Sequence, residues 1–356
     1  MPPTRAELSR AVVAERNASL KPYNSFGLDV RAERLYHLES EMHLLEYLDD
    51  PEGYGQHSLL LGGGSNMLIA GDIKGSVARV AWTGRRLIEE GDGFIIVEAA
   101  AGENWQDFVQ WTVDQGWGGL QNLSLIPGLV GTAPIQNIGA YGVETKDSLH
   151  SLRWMRWADG EIEEFSNAQC EFGYRDSLFK GRLKDQGVIL SVQFRLSSRD
   201  HTLVTHYGSV AEELALRGAE AGLRSIADAV MSIRRSKLPN PAELGNSGSF
   251  FKNPTVDAQK AAELAQEYPN LAQYPQADGR AKLAAGWLIE QAGWKGRRQG
   301  NAGMHAKQAL VLVNYGGASA AELLAVARQV QADVLAKFQI ALEMEVNLIE
   351  GVFDGL

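Results

Sequence analysis

The run Gly62-Gly63-Gly64-Ser65-Asn66 is the first place in this chain where residue types and spacing suggest ligand chemistry. Consecutive glycines let a ligand approach the backbone closely, and the exposed amides, with Ser65 and Asn66, can cradle a pyrophosphate. The run is not a dinucleotide-binding fingerprint, because Met67 stands where G-x-G-x-x-G needs its third glycine. The P-loop pattern fails as well. On pattern alone, a tight structural turn and a phosphate-binding loop are equally good interpretations.

A second glycine-rich segment spans residues 125–142, eighteen residues with four glycines, two prolines and no amphipathic period. Such a segment must form a shaped, irregular loop, and loops of this kind commonly serve ligands. The alternative is a mobile surface linker. Its apolar content argues against that alternative, since linkers are polar. The apolar residues are Ile126, Val130, Ile135, Ile138 and Tyr141.

Positive charge is concentrated at Arg234, Arg235 and Lys237, in a chain whose formal net charge is −10. A local basic cluster of this kind suits a diphosphate group. The overall balance of 34 basic and 44 acidic residues argues against a nucleic-acid partner, because phosphate backbones require extended positive surfaces. No membrane partner is expected either, since no window of the sequence approaches the apolar length of a membrane span.

Other reactive residue types point away from metal and thiol chemistry. The seven histidines show no metal-ligand spacing, so no metal is expected. The single cysteine, Cys170, cannot form an internal disulfide, and its place before Glu171 and Phe172 indicates a packed thiol. The first twenty residues are interrupted by charges and do not read as a signal peptide, so we expect a cytoplasmic protein.

The elements that position these residues follow a mixed pattern of helices and strands. At 356 residues, 45% of them apolar, the chain is long enough for two or three domains. Strand-like runs are interleaved with helices, as in layered α+β or α/β folds. These runs are Ser58–Leu61, Phe94–Ala99, Val188–Phe194 and Ala309–Asn314.

Two helices are legible from apolar spacing and end signals. The first runs from Trp105 to Gln115, with Asn104 as its cap and Gly116 beyond its end. The second runs from about Ala320 to Phe338 and opens with a capping box. The capping residues of that box are Ser319 and Glu322.

The last predicted strand extends from Leu342 to Leu348, where apolar and polar residues alternate. This alternation places Glu343 and Glu345 on one face. Breaks rich in proline, glycine and asparagine near residue 83 and at residues 239–249 predict domain junctions.

Further motifs follow the two glycine-rich segments in a fixed order. They are Gly173–Lys180, Tyr207-Gly208, Arg234 with Lys237-Leu238-Pro239, Gly245–Pro254, Tyr274–Gly279, Leu283–Ile289, Gln308–Leu312 and Leu342–Val346. Together they run from about Leu20 to Val346 and resemble the UDP-N-acetylenolpyruvoylglucosamine reductase family. That family has the FAD-binding fold of vanillyl-alcohol-oxidase-like flavoproteins. The segment around Tyr207 resembles the subclass in which a tyrosine loop closes over the substrate.

The resemblance implies an α+β protein with a two-part FAD-binding domain and a C-terminal α/β substrate-binding domain. The first FAD-binding subdomain would span residues 17–82. The second would span residues 83–238 and be joined by the C-terminal strand, residues 339–356. The UDP-sugar-binding domain would span residues 239–338.

The resemblance also assigns residues to the site. The catalytic group would be Arg175, Ser249 and Glu345. The cofactor would meet Gly62, Gly63, Gly64, Ser65, Asn66, Gly128, Gly131, Thr132, Ile135, Asn137, Gly139, Ala140, Tyr141, Gly142 and Tyr174. The substrate would meet Tyr207, Arg234, Lys237, Asn253 and Gln308. From the residues alone, each catalytic candidate has a structural alternative: Ser249 as a turn residue, Arg175 as an ion-pair partner of Asp176 or Glu171, and Glu345 as a solvent-facing residue.

The implied activity is the NADPH-dependent, FAD-mediated reduction of UDP-N-acetylglucosamine enolpyruvate to UDP-N-acetylmuramate in peptidoglycan precursor synthesis. FAD would be held without a covalent bond, the partners would be small molecules, and the protein would be a monomer. Two alternatives stay open. One is another flavin oxidoreductase of the same fold acting on a different substrate, which would need no basic diphosphate cluster. The other is a non-catalytic nucleotide-sugar binding protein, which would tolerate loss of Ser249 and Glu345.

Overall fold

The structure is a computed structural model that describes residues 12–351. Residues 1–11 and 352–356 lie outside that range, so the expectation for the first twenty residues and the end of the predicted segment 339–356 are covered only in part. In chain order the strands are β1 (Glu15–Ser19), β2 (Arg31–Leu38), β3 (His57–Leu61), β4 (Met67–Ile69), β5 (Ile73–Val80), β6 (Arg85–Gly91), β7 (Phe94–Ala100), β8 (Gly139–Ala140), β9 (Val143–Glu144), β10 (Leu149–Arg156), β11 (Ile162–Ser166), β12 (Gly187–Ser197), β13 (Gly245–Ser249), β14 (Thr255–Val256), β15 (Gln273–Pro275), β16 (Ala281–Leu283), β17 (Arg298–Gln299), β18 (Ala302–Met304), β19 (Val311–Asn314) and β20 (Asn347–Ile349). The α-helices are α1 (Glu41–Asp49), α2 (Trp105–Asp114), α3 (Val210–Leu216), α4 (Leu223–Lys237), α5 (Ala258–Glu267), α6 (Ala285–Gln291) and α7 (Ala320–Phe338).

The described chain forms two compact units. Unit 1 comprises residues 12–18, Ala32–Gly63 and Lys74–Arg234. Unit 2 comprises Ser19–Arg31, Gly64–Ile73 and residues 235–351. The mixture of sheets and helices confirms the predicted α+β class. The three-part division of the chain proposed from the sequence stays a prediction.

The largest sheet of unit 1 is antiparallel, with the strand order β11-β10-β12-β7-β6. Along the second half of β12, Val192, Phe194 and Leu196 are buried and alternate with more polar residues, so this part of the sheet packs one face against a core. Helix α2 contributes to the same core, and the Trp105 ring lies 5.9 Å from the Phe194 ring. A second sheet has the order β1-β2-β5-β3, in which β3 and β5 run parallel.

The start and end of α2 follow the predicted signals. The Asn104 side chain accepts a hydrogen bond from the Asp107 backbone N–H at 3.1 Å, which satisfies one of the free amides of the first turn. Beyond the helix, Gly116 adopts φ +76°, a conformation that suits glycine after a helix end. The helix ends at Asp114, one residue earlier than predicted.

Unit 2 contains the antiparallel sheet β13-β19-β18-β17, the small sheet β14-β16-β15 and the helices α5 to α7. The predicted capping box of α7 is present, because Ser319 and Glu322 each accept a hydrogen bond from the other's backbone N–H. Near the end of α7, the Phe338 ring lies 5.1 Å from the Tyr268 ring. Strand β19 begins at Val311 rather than at Ala309, because the Val311 N–H closes a turn on the Gln308 carbonyl.

The prediction of one continuous strand from Leu342 to Leu348 is wrong. The segment first forms an isolated bridge between Met344 and Phe251, and only Asn347–Ile349 is regular strand, pairing in parallel with β4. The segment changes partner between these two pairings, so its hydrogen bonds cannot form one ladder. The alternation of burial survives, since Leu342 and Val346 are buried and Glu343 is exposed. Within residues 12–351, no helix is both long and apolar enough to cross a membrane.

Candidate active site

The glycine run Gly62–Asn66 lies directly after β3 and before β4. Within unit 1, a Cβ atom on Gly63 would lie 3.2 Å from the Gly128 Cα, so the two glycine-rich segments approach backbone to backbone. Gly64, in unit 2, has φ +60°, and a Cβ atom there would collide with the Tyr23 carbonyl oxygen. The backbone N–H groups of Gly63, Gly64 and Ser65 bond to no other residue of the described chain. The run is therefore both a tight turn and a source of free amides.

The segment of residues 125–142 is an anchored loop that contains one short 3₁₀ turn, Val130–Thr132, and the two-residue strand β8. The Val130 and Gly131 N–H groups donate to the carbonyls of Glu103 and Ala101, each at 2.9 Å. These bonds fix the loop against the strand-to-helix turn before α2. The prediction of a shaped loop, rather than a mobile linker, is confirmed.

Asn137 lies at the centre of this loop and is fully buried, with φ +44°. Its side-chain amide donates to the Glu144 carboxylate and to the Gly173 carbonyl, each at 3.0 Å. Its side-chain oxygen accepts from the Lys146 N–H at 3.1 Å. The side chain predicted to meet the cofactor is thus used within the protein, and it holds the loop in shape.

Arg175 stands beside the same loop in unit 1. Its Nη2 donates to the Gly139 carbonyl at 3.0 Å, and its guanidinium carbon lies 5.4 Å from the centre of the Tyr174 ring. Glu171, one of its two structural ion-pair alternatives, pairs instead with Arg182 at 2.9 Å. The guanidinium of Arg175 is therefore oriented by the loop carbonyl of Gly139.

Arg234, at the end of the unit 1 part of α4, is directed toward the same loop. Its Nε donates to the Leu125 carbonyl at 3.1 Å. Burial lowers the pKa of the Arg234 guanidinium, the Tyr141 hydroxyl opposes that shift, and the Arg175 charge adds to it. Burial also raises the pKa of Tyr141, which Arg234 partly offsets. The structure thus brings two predicted cations, Arg175 and Arg234, to one loop. Burial and the positive charge of Arg234 act on the pKa of Tyr141 in opposite directions.

Tyr207 is half exposed, at 51%, and packs against the loop through its Cβ. A Cβ atom built on Gly142 would lie 3.1 Å from the Tyr207 Cβ, so a larger residue at position 142 would push against the tyrosine segment. Asn122 ties the two segments together, because its side-chain amide donates to the carbonyls of Tyr141 and Val204 at 3.0 and 2.8 Å. No pattern of residues around Asn122 predicts this role.

Ser249 ends β13 in unit 2, opposite Val311, and is partly buried. Its hydroxyl makes no hydrogen bond to any residue of the described chain. The turn before it is held by Asn246, whose side-chain oxygen accepts from the Gly248 N–H at 3.0 Å. The structural alternative for Ser249, a hydroxyl that stabilises the turn, therefore loses its support.

Glu345 is partly buried in unit 2, and its backbone is fixed on both sides. Its N–H donates to the Phe250 carbonyl at 2.8 Å, and its carbonyl accepts from the Asn66 side chain at 3.4 Å. Glu343, in contrast, is exposed and pairs with Lys252, as expected for a solvent-facing glutamate. The final strand also meets the glycine run through Asn347, whose side-chain amide donates to the Asn66 carbonyl at 3.0 Å.

Two predicted substrate residues, Lys237 and Gln308, line one open pocket of about 390 Å³ in unit 2. Lys307 lines it as well and adds a second positive charge that the sequence reasoning missed, although it is the neighbour of Gln308. Asn253 does not line this pocket. Its side-chain oxygen accepts from the Ala285 N–H at 2.9 Å, at the start of α6.

Two further serines of unit 2 were missed. The hydroxyl oxygens of Ser25 and Ser247 are buried and have no hydrogen-bond partner among the described residues. The backbone of Ser25 joins the glycine run to β13, since its N–H donates to the Gly64 carbonyl and its carbonyl accepts from the Asn246 N–H. The only signal for Ser247 was its place in the same motif as Ser249.

Comparison with known proteins places these features in a family. Residues 32–166 match the profile of an FAD binding domain, and residues 240–349 match the C-terminal domain of UDP-N-acetylenolpyruvoylglucosamine reductase. The UDP-N-acetylenolpyruvoylglucosamine reductase of Pseudomonas putida is 51% identical over 335 residues, which is 94% of this chain and 98% of that protein. The protein of the same name from Azoarcus is 52% identical over 334 residues, covering 92% of this chain and 96% of the relative.

A solved structure, the UDP-N-acetylenolpyruvylglucosamine reductase of Thermus caldophilus, superposes with a TM-score of 0.64 at 24% identity. The match covers 95% of this chain and 99% of the other, and it supports the fold. The sequence identity of more than half, over nearly the full length of both chains, shows the family as well as the fold. The chain belongs to the UDP-N-acetylenolpyruvoylglucosamine reductase family.

Proposed function

We propose that the chain binds FAD without a covalent bond and uses NADPH to reduce the enolpyruvyl group of UDP-N-acetylglucosamine enolpyruvate. Its family makes it an FAD-dependent oxidoreductase, a UDP-N-acetylmuramate dehydrogenase of peptidoglycan precursor synthesis. The residue roles below and the three-part division of the chain belong to the proposal. So do a tyrosine segment that closes over the substrate, a monomeric state, small-molecule partners and a cytoplasmic location.

The described residues fit a bound FAD in two respects. The free N–H groups of Gly63, Gly64 and Ser65 can donate to the pyrophosphate oxygens. The buried hydroxyls of Ser25 and Ser247 have no partner among residues 12–351, and buried polar atoms ordinarily have one, so polar groups of a ligand would supply their hydrogen bonds. Neither residues 62–66 nor residues 125–142 contain the histidine or cysteine that a covalent link requires. When bound, FAD would supply hydride chemistry, passing a hydride from NADPH to the outer vinyl carbon of the substrate.

Arg175 is assigned to the negative charge that develops on the substrate. Hydride addition to an acrylate places that charge over the inner carbon and the carboxylate, where a fixed cation lowers the barrier. The bond from Arg175 to the Gly139 carbonyl supports this role, because it restricts the guanidinium before the substrate arrives. Glu345, when protonated, would donate a hydrogen bond to the same carboxylate.

Ser249 is assigned as the donor of the proton to the inner carbon, the step that sets the stereocentre of the lactyl ether. An alcohol is a weak acid, but an enolate-like carbon is far more basic, so the transfer is favourable. The observation that carries this assignment is the uncommitted hydroxyl of Ser249, since a turn-stabilising serine would bond to the backbone.

Lys237 and Gln308, with the neighbouring Lys307, are assigned to the diphosphate and the sugar of the substrate. Cations that line an open pocket suit phosphate oxygens. Because the chain as a whole is negatively charged, an anionic substrate is expected to bind at such a local basic site and not elsewhere on the surface. Tyr207, Arg234 and Asn253 complete the proposed substrate set.

The test separates the two half-reactions of Ser249→Ala by stopped-flow absorbance of the flavin. Reduction by NADPH requires no proton from Ser249, so anaerobic bleaching should proceed at nearly the normal rate. Reoxidation by the UDP-sugar should slow by roughly 10² to 10⁴-fold, or about 3 to 5 kcal/mol of barrier, as expected for a lost general acid.

Ser249→Cys provides the matched variant, because it keeps an ionisable proton at nearly the same place and should recover part of the loss. If Ser249→Ala reoxidises at the normal rate, the hydroxyl does not deliver the proton. Equal slowing of both half-reactions would instead indicate general damage to the flavin environment.

A further inference from the structure

The backbone before Ser249 contains one residue more than its partner strand. Asn246 lies opposite Val313 and Ser249 lies opposite Val311, with a break in register between the two pairs. Three steps along β13 therefore match two steps along β19. One extra residue in one strand of an antiparallel pair is a β-bulge, a feature that can re-aim a side chain.

The bulge decides which face of the sheet Ser249 occupies. Residues directly opposite each other project to the same face, and so do residues two apart on one strand, such as Val311 and Val313. Asn246 and Ser249 consequently share a face although they are three residues apart. In a regular ladder residue 248 would take that position, and Ser249 would project to the opposite face.

The bulge is held by two neighbouring residues. Gly248 adopts φ +70°, a conformation that side chains disfavour, and a Cβ atom there would meet nothing within 4 Å. The Gly248 N–H donates to the side-chain oxygen of Asn246, which is buried. The Asn246 amide is itself fixed by the carbonyls of Leu244 and Pro239, at 2.8 and 3.1 Å.

We infer that Asn246 and Gly248 are positioning residues, which aim the Ser249 hydroxyl by holding a bulge between β13 and β19. This inference rests on the proposed role of Ser249. Because the hydroxyl is bonded to no described residue, the backbone register decides the face of the sheet to which it projects. A small backbone shift at Gly248 therefore misplaces the proton donor without removing it.

The experiment compares Gly248→Ala with Gly248→Asn and with Gly293→Ala. Alanine disfavours the positive φ, whereas asparagine tolerates it better, and a Cβ atom at position 248 would meet nothing within 4 Å. Gly293, after α6, matches Gly248 in having φ +81° and no atom within 4 Å of a built Cβ, so Gly293→Ala applies the same strain elsewhere in unit 2.

Gly248→Ala should slow flavin reoxidation by the UDP-sugar by about 10- to 100-fold, the scale expected for a misplaced catalytic group. Its anaerobic reduction by NADPH and its retention of FAD should stay close to normal. Gly248→Asn should recover most of the reoxidation rate. Gly293→Ala should lower the thermal midpoint about as much as Gly248→Ala and leave reoxidation unchanged. Equal reoxidation rates in Gly248→Ala and Gly293→Ala would overturn the inference.

Combination with Ser249→Ala separates this inference from the function on which it rests. If Gly248 acts through the hydroxyl, Gly248→Ala should cause no further slowing once Ser249→Ala is present. Full additivity of the two effects would overturn the positioning role and leave the proton donor intact. Normal reoxidation in Ser249→Ala alone would overturn the proton donor itself. Asn246→Ala, if it folds and retains FAD, should show the same selective loss as Gly248→Ala.

Discussion

Lys237 is exposed and lines the unit 2 pocket, so its removal should affect binding more than chemistry. We expect Lys237→Ala to raise the apparent KM for the UDP-sugar with little change in kcat. A lost charge-assisted bond to phosphate is worth about 1.5 to 3 kcal/mol, or roughly 10- to 150-fold in KM. Steady-state kinetics measure both constants.

Lys184→Ala is the matched control, because Lys184 is also exposed, lies in unit 1 and is not one of the predicted site residues. Its KM should be unchanged. A fall in kcat at constant KM in Lys237→Ala would mean that the side chain acts in the chemical step. Tyr207→Phe, which removes only a hydroxyl from the half-exposed tyrosine, should raise KM in the same direction by a smaller factor.

Asn137 shows what residue types could and could not reveal. The glycine-rich segment around it pointed correctly to a shaped loop, because its composition fits neither a helix nor a linker. The bonds of its side chain to Glu144, Gly173 and Lys146 depend on residues brought together only by the fold. A motif thus locates a site residue but does not separate ligand contact from loop support.

The capping box of α7 gives a test at the level of one element. Ser319→Ala removes the hydroxyl that accepts a hydrogen bond from the Glu322 N–H. We expect the free energy of unfolding of unit 2 to fall by about 1 kcal/mol. Urea unfolding followed by circular dichroism measures the change. An unchanged free energy of unfolding in Ser319→Ala would show that the hydroxyl does not stabilise the start of α7.

The same box predicts a dependence on pH. The Ser319 N–H and hydroxyl lower the pKa of Glu322 in the folded protein below its usual 4.5. A carboxyl group with a lowered folded-state pKa stabilises the fold above its unfolded pKa and loses that contribution as pH falls through the folded value. The free energy of unfolding should therefore be higher for the unaltered protein than for Glu322→Gln at pH 7, and this difference should shrink below about pH 4.5.

Elements with local signals were predictable, and elements defined by distant partners were not. Helices α2 and α7 carry their own caps and apolar spacing, so their predicted ends agree with the structure to within one residue. The prediction of the final strand was wrong because the period of apolar residues indicates which side chains are buried, and it does not indicate which strand supplies the hydrogen bonds. The bulge at Gly248 could not be predicted for the same reason, because it is defined by the pairing of β13 with β19.

Cys170 offers a test of unit 1 as a whole. It is fully buried, its thiol donates to the Ser166 carbonyl, and burial raises the pKa of the thiol from 9.0 to about 12. At pH 8 only about one native thiol in ten thousand would be ionised, against roughly one in ten after unfolding. We expect no reaction with a disulfide reagent at pH 8 until urea unfolds this unit.

The labelling rate should then rise together with the loss of tryptophan fluorescence, because Trp105 and Trp154 belong to the same core as Cys170. Rapid, complete labelling without urea would show that this part of the core opens readily. Cys170→Ser should abolish the labelling signal and leave the flavin spectrum unchanged.

The pairing of β20 with β4 also has a consequence for biosynthesis. The two strands come from opposite parts of the chain, and Asn347 bonds to Asn66 across 281 residues. A ribosome delivers residues in order, so Gly64–Ile73 emerges early and waits for a neighbour that is made much later. The nascent chain therefore holds β4 without its parallel partner until residues 347–349 have been made, so this pairing can form only at the end of synthesis.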